Sequence, residues 1–509
     1  MKDSFEEPRW GPFIKKGPRG RKAWRVRDSA RNRYILEHVL PRSPQFKRYY
    51  TPIPETVEIH PRWLPKLWSH QVIAVRFLIF RRRVIYAGDM GVGKMLATFV
   101  ALDSLFMKYP GAIWWISESA PLDEYKTQRI RWQPFFDPAI VGTYDSLHQY
   151  VKRATIPPRF LVLDESTALK NIKSLRTQSA LGLVECMEKH WGDDCFVFLF
   201  TGTPFPKDDR DWYAQCEVAR PGFIREGSIY KFTERYFETK IDEIDGRKFP
   251  KITGRKLEEI DELPKRLAGL VLRHQRGLDT PDIKVGDKKY DKIVVPLDPS
   301  TEMVYKAFLE GEGTALQILS KCRQLADGFQ YGYNFIEGKR VLIASHRVPC
   351  PKDNAVRTLL EKYKSFNRTI FYAAYREAVD RVIDVCSEYG WAVIALDGRG
   401  WRSIGGIPAN IDTFQDYRKY DTPIAFVGNP RKGGKGMTLT ASPMIAFYSN
   451  GFRAEDRWQA EDRIMRDSAR GTDIWDIIHL PTDELVLGNL LKKRDAQEIG
   501  LEILRKYAR

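Results

Sequence analysis

Short apolar runs punctuate the chain from residue 61 onward, and each ends in a small or polar cluster. "RVIYAGDMG", "GAIWWISES", "FLVLDEST" and "FVFLFTGTP" lie in the first half; "RTIFYAAY", "WAVIALDG", "PIAFVGN", "MIAFYSN" and "WDIIHL" lie in the second. A strand covered on both faces reads as such a continuous run, not as an alternation. Helical stretches separate the runs, among them "MLATFVALDSLFMKY" and "DNAVRTLLEKYKSF". Strand, loop and helix in alternation predict an α/β fold with parallel sheets. Two sets of strands predict two sheets, and hence two lobes in tandem. Over about residues 205–295 the chain is charged and irregular ("ETKIDEIDGRKFPKITGRK"), which reads as a helical or β-ribbon insertion and a linker. The expected organisation is an N-terminal extension over 1–60, a first lobe over 61–295 containing the insertion, and a second lobe over 296–509.

The totals sharpen this picture. A chain of 509 residues exceeds one ordinary core, and 43% hydrophobic and 12% aromatic residues suffice to fill two. A net charge of +17 points to a polyanionic partner, nucleic acid first. The densest basic stretch is "KKGPRGRKAWRVRDSARNRY" in the extension. It has two readings: an arm that tracks phosphates while Trp24 or Tyr34 stacks, or a solvated tail with a short helix around 28–39. None of the six cysteines forms a C-x-x-C pair, so they read as reduced thiols. The first residues, MKDSFEEPRW, lack the apolar core of a secretory signal, and no apolar run reaches the roughly 18 residues of a membrane span. The expected location is the cytoplasm of a prokaryote or phage-infected cell.

The candidate chemistry starts in "AGDMGVGKMLAT". The pattern G-x-x-x-x-G-K runs from Gly88 through Gly91 to Gly93 and Lys94, between an apolar strand and a helix. Glycines let backbone N–H groups curl around phosphates, and the helix N-terminus adds partial positive charge. A lysine here reaches the β- and γ-phosphates. The next position should carry a hydroxyl that helps hold Mg²⁺, and here it is Met95. This leaves two readings: a nucleotide site short of one ligand, or a structural glycine turn. Thr98 is no substitute, because it lies almost a helical turn farther on. "FLVLDEST" favours the first reading. Asp164 and Glu165 end an apolar strand, where one carboxylate can hold Mg²⁺ and the next can orient and deprotonate water. Together the motifs predict hydrolysis of a nucleoside triphosphate, with ATP and Mg²⁺ as cofactors.

The ordered set of motifs resembles that of superfamily two helicases, specifically the Swi/Snf-type DNA translocases and their compact phage-like relatives. "LWSHQVIAVRFL" resembles the Q element, "GDMGVGKM" motif I, "WWISESAPL" motif Ia and "VGTYDSL" the DNA-contacting segment after it. "LDEST" resembles motif II, "LFTGTP" motif III, and "LADGFQYG" the entry to the second lobe. "TIFYAAY", "NPRKGGKGMTLTAS" and "RWQAEDRIMR" resemble motifs IV, V and VI. The resemblance implies two RecA-like lobes that clamp DNA and step along it with each ATP hydrolysed. It implies that Gln71 reads the adenine, that Arg463 and Arg466 reach across the cleft to the γ-phosphate, and that Thr201 and Thr203 couple metal site to DNA face. Ser117, Thr143, Lys435 and Thr438 would contact DNA, with Gly433, Gly434 and Gly436 allowing close backbone approach; "GGKG" also reads simply as a flexible loop. The sequence departs from the family at Met95, and at "RDSAR", where these translocases carry Arg-Ile-Gly-Gln. A strand-separating helicase for DNA or RNA, and a catalytically weakened, nucleotide-gated DNA-binding protein, are the rival expectations.

Overall fold

The computed structural model describes residues 14–16, 22–24, 49, 51–205, 209–244, 247–256, 262–283, 286–336, 339–433, 437, 439–464 and 471–507. Every apolar run named above forms a strand. In the first lobe these are β1 (Arg83–Gly88), β2 (Ile113–Ser117), β4 (Phe160–Asp164) and β5 (Phe196–Phe200). With β3 (Ile140–Thr143) and β6 (Val271–His274) they build a six-stranded, wholly parallel sheet in the order β6-β1-β5-β4-β2-β3. The second lobe holds a seven-stranded sheet. Its strands are β7 (Lys288–Val294), β8 (Arg368–Tyr372), β9 (Ala392–Asp397), β10 (Gly400–Ile404), β11 (Ile424–Gly428), β12 (Met444–Phe447) and β13 (Thr472–Ile478). Their order is β7-β13-β12-β8-β11-β9-β10, parallel except for the antiparallel edge strand β10. These are two RecA-like lobes.

The continuous runs have a simple cause. Along β1, Ile85 and Ala87 enter one apolar cluster and Val84 and Tyr86 another, so each sheet face has its own core. Along β8 the same division puts Phe371 on one side and Ile370 and Tyr372 on the other. Apolar side chains therefore occupy both faces of each strand, and the buried polar residues, Arg83, Arg368 and Thr369, come at the strand starts.

Two features of the 205–295 segment correct the expected organisation. It contains helices (Asp211–Ala219, Ile229–Tyr236, Glu262–Leu267) and a hairpin (Phe237–Ile244 with Arg247–Arg255), but then returns β6 to the edge of the first sheet beside β1. Further on, β7 pairs in parallel with β13, so the second sheet starts before residue 296. Both are edge strands. β6 is four residues long and ends in Arg273 and His274, and β7 alternates exposed and half-buried positions, so neither looks like a doubly covered strand.

The C-terminal helix Pro481–Tyr507 packs against Glu262–Leu267 of the first lobe. In the N-terminal extension, Ile14–Lys16 pairs with Lys22–Trp24 as a small hairpin, and the expected helix around 28–39 lies outside the described residues. All six cysteines are free thiols, five of them buried. Among the described residues no helix is long and apolar enough to cross a membrane.

Candidate functional site

The first sheet ends in the loop between β1 and helix α2 (Lys94–Phe106). Gly91 (φ +84°) and Gly93 (φ +80°) sit in the left-handed region, which only glycine adopts without strain. Gly93 is also a close approach: a Cβ there would lie 2.1 Å from Gln71 Nε2. Gln71 comes from helix α1 (Ser69–Arg81), so the Q element does lie against the phosphate loop. Its Oε1 accepts from the Trp68 backbone N–H (3.1 Å) and its Nε2 donates to the Val92 carbonyl (3.3 Å). Reading an adenine would require the amide to exchange one of these partners.

Lys94 Nζ donates to the Gly88 and Asp89 carbonyls at 2.8 and 2.9 Å. Burial pulls this ammonium down to about 8, against the pull of Glu165, Asp164 and Asp89. Backbone carbonyls are modest acceptors for a cation, so phosphate oxygens would displace them. Met95 turns away from the loop and packs, half-buried, on the apolar cluster containing Leu96 and Phe99. The Thr98 hydroxyl is buried and donates back to the Lys94 carbonyl at 2.9 Å, which removes it as a stand-in ligand.

Asp164 and Glu165 meet Lys94 from β4. Asp164 Oδ1 accepts from the Glu165 backbone N–H (2.9 Å), and Oδ2 accepts from the Ser117 hydroxyl (3.3 Å). Burial, then the charge of Glu165, raises the Asp164 carboxyl, while Lys94 opposes the rise. Glu165 adopts φ +51°, ψ +55°, a left-handed conformation costing a non-glycine residue on the order of 1–2 kcal/mol. The turn aims the two adjacent carboxylates apart, and Glu165 Oε2 accepts from Thr201 Oγ1 at 3.5 Å. The two buried carboxylates lie within the electrostatic reach of the Lys94 ammonium. A divalent cation held by one carboxylate, phosphate oxygens and water fits that arrangement. Thr201 Oγ1 also accepts from the Thr203 backbone N–H (3.1 Å), while the buried Thr203 hydroxyl has no hydrogen-bond partner among the described residues.

A second feature is a cleft of about 790 Å³ between the lobes. It lies at the carboxyl ends of strands from both sheets: Thr143 ends β3 and Asp145 follows it, Asn429 follows β11, and Asn450 follows β12. Arg176 lines it from the first lobe, and Arg376 and Arg431 from the second. Thr143, expected to contact DNA, lines this cleft.

Ser117, also expected to contact DNA, is fully buried and donates its hydroxyl to Asp164. Arg463 caps the helix Ala454–Asp462, is only 3% exposed, and neighbours Tyr372 of the second lobe. Arg466, Gly434, Lys435, Gly436 and Thr438 lie outside the described residues, whereas Gly433 accepts from the Tyr372 hydroxyl through its carbonyl (2.8 Å).

Two sets of residues escaped the sequence. Tyr144 is 2% exposed and donates its hydroxyl to the Asp164 carbonyl (2.7 Å), while its neighbour Thr143 faces the cleft. The stretch after β6 clasps the phosphate loop: Arg273 pairs with Asp89 Oδ1, the Arg276 backbone N–H donates to Asp89 Oδ2 (2.8 Å), and the Asp89 N–H donates to the His274 carbonyl (2.9 Å). An arginine-bearing strand just ahead of a glycine turn, "VLRHQRG", was the available signal.

No profile of a known protein family matches the chain. Mouse DNA repair and recombination protein RAD54B is 21% identical over 512 residues, covering 84% of this chain and 55% of that protein. The Chromodomain-helicase-DNA-binding protein 1-like of Danio rerio is 24% identical over 318 residues, covering 60% and 28%. An uncharacterized ATP-dependent helicase of Mycoplasma pneumoniae is 22% identical over 423 residues, covering 76% and 37%. The chain thus spans about half or less of the length of these curated relatives. Among solved structures, a Sulfolobus solfataricus SWI2/SNF2 ATPase core in complex with dsDNA aligns with 90% of this chain and 99% of its own, at 17% identity and a TM-score of 0.37. These similarities are to Swi/Snf-type and helicase proteins, the family that the chain's ordered motifs resemble.

Proposed function

We propose that the chain is an ATP-dependent motor that moves along, or remodels, duplex or branched DNA. The observation that carries this is the double attachment of Asp164. Ser117 and Tyr144 hold it from β2 and from the turn after β3, and the residues beside them, Glu118 and Thr143, line the cleft between the lobes. A strand lying in that cleft would press on the same turns that fix the metal-binding carboxylate. The relatives' names point the same way: one is a DNA repair and recombination protein and one a DNA-binding helicase.

In this reading the loop 88–94 cradles the triphosphate, and Lys94 leaves the Gly88 and Asp89 carbonyls for phosphate oxygens. Asp164, with water, would hold Mg²⁺, which supplies charge neutralisation at the phosphates. Glu165 accepts the proton of the attacking water, and Thr201 fixes its carboxylate. Backbone contacts dominate the DNA grip, so little sequence preference is expected. Arg466 is the arginine proposed to act at the γ-phosphate.

The test is ATP hydrolysis with and without blunt duplex DNA, beside a strand-displacement assay on tailed duplexes. Stimulation by duplex without displacement supports translocation, and displacement supports the unwinding alternative. No stimulation by any nucleic acid overturns the motor. One observation favours a second reading, a weakened and nucleotide-gated binder: Met95 faces the apolar core and leaves the loop one hydroxyl short.

A further inference from the structure

The edge strand β6 and the turn after it form a wall of the nucleotide site. In the sheet order β6-β1-β5-β4, the phosphate loop leaves β1, the carboxylates and Thr201 come from β4 and β5 on one side, and the wall comes from β6 on the other. The loop repeats this polarity. A Cβ on Gly202, beyond β5, would lie 2.7 Å from Met90 Sδ, so Met90 faces the hydrolytic side. A Cβ on Gly91 would instead lie 3.6 Å from Arg276 Nη1 and 3.7 Å from its Cζ. The Arg276 guanidinium therefore lies over the loop on the β6 side, the side also bordered by the Gln71 helix.

The wall is rigid. The Gln275 N–H donates to Asp279 Oδ2 (2.8 Å), the Gly277 N–H donates to Thr280 Oγ1 (2.9 Å), and Asp282 Oδ2 accepts from the Ser69 N–H (3.1 Å) and hydroxyl (2.8 Å) at the start of α1. In the clasp on Asp89, Arg273 takes one carboxylate oxygen and the Arg276 backbone N–H takes the other. The turn so attached places the Arg276 guanidinium over Gly91.

We propose that Arg276 is a nucleotide-binding residue that closes over the adenosine end of bound ATP, away from the hydrolytic carboxylates. This rests on the ATP-site reading above. A planar guanidinium stacks on a base face and donates to ribose or α-phosphate oxygens, which a lysine ammonium cannot do in the same plane. Contacts at that end are equal in ground and transition states, so they set nucleotide affinity and not the rate of the chemical step.

The experiment measures Arg276→Ala and Arg276→Lys in the full chain. ATP and ADP affinities are read by calorimetry in a Glu165→Gln background, and KM and kcat by duplex-stimulated ATPase in the otherwise native protein. Arg276→Ala is expected to weaken ATP and ADP equally, by about tenfold, to raise KM to match, and to leave kcat within about twofold. Arg276→Lys should recover only part of the loss, and the melting temperatures should stay together. Unchanged affinity for both nucleotides overturns the proposal, as does a loss confined to ATP together with a fall in kcat. A parent protein that neither binds nor hydrolyses ATP fails at the earlier step and refutes the ATP site itself.

Discussion

Met95→Thr should raise activity while lowering stability, and the two effects can be measured apart. Met95 is the second residue of α2, and its side chain packs half-buried on the cluster containing Leu96 and Phe99. Full burial of a methionine is worth about 1.5–3 kcal/mol, so trading half of it for a threonine costs about 1 kcal/mol. For a lobe of this size that lowers its melting temperature by about 2–4 °C. The gain is at the loop. Threonine carries a methyl and a hydroxyl on one carbon, so the methyl can keep the apolar contact while the hydroxyl faces the phosphate side. A contact to a charged group is worth about 1.5–3 kcal/mol, or roughly 10- to 100-fold in Mg²⁺ affinity or rate. The neighbouring hydroxyl does not blur the result, because Thr98 is committed to the Lys94 carbonyl. The assay is duplex-stimulated ATPase across a Mg²⁺ titration, with thermal melting of both proteins. A brisk parent whose half-maximal Mg²⁺ is unmoved by the substitution would show the hydroxyl to be dispensable. A parent inactive at high Mg²⁺ and not rescued by Met95→Thr would favour the nucleotide-gated binder.

Lys94→Ala and Glu165→Gln should each abolish most hydrolysis, but only Glu165→Gln should still bind ATP in a calorimeter, since it keeps the phosphate contacts; equal loss of binding in both contradicts the roles. Arg466→Ala should slow turnover by roughly 10³ or more with near-normal ATP binding. Arg463→Ala should instead lower the melting temperature of the second lobe, because that side chain is buried there; a turnover defect at unchanged stability would restore it as the arginine at the γ-phosphate. Tyr144→Phe should reduce the fold-stimulation by duplex DNA more than the DNA-free rate, because it cuts one link between cleft and Asp164; equal loss of both rates would mean the hydroxyl is only structural. Deleting residues 1–50 should flatten the dependence of DNA affinity on salt by about one log unit for every phosphate the arm neutralises, and an unchanged slope would place the relevant charge on the lobes.

Strands covered on both faces were legible because burial fills their middle positions with apolar residues and leaves polar ones to the ends. "FLVLD" and "FVFLF" could be nothing but central strands of a large sheet, and they are β4 and β5. Edge strands lack that constraint. β3 holds a single buried residue, β6 ends in arginine and histidine, and β7 ("KKYDKIV") is charged at four of its seven positions, so each was absorbed into loop or insertion. The misplaced boundary between the lobes follows directly, since β7 is the first strand of the second sheet.

The site was legible wherever chemistry is carried by residues adjacent in sequence, and illegible where it depends on which way a side chain turns at a strand end. Gly88 to Lys94 and the Asp164–Glu165 pair stand next to one another in the chain, and the sheet brings them together. Ser117 and Thr143 are equally polar and both end a strand, yet one is sealed beneath Asp164 and the other opens on the cleft. The register decides between them: Ser117 pairs with Thr143 across β2 and β3, but β2 is internal and flanked by β4 while β3 is the edge. The same logic governs Arg463. Three-residue spacing puts Arg463 and Arg466 on one helical face only while the helix lasts, and here it stops at Asp462. Arg463 is therefore the residue that ends the helix, and it is buried there.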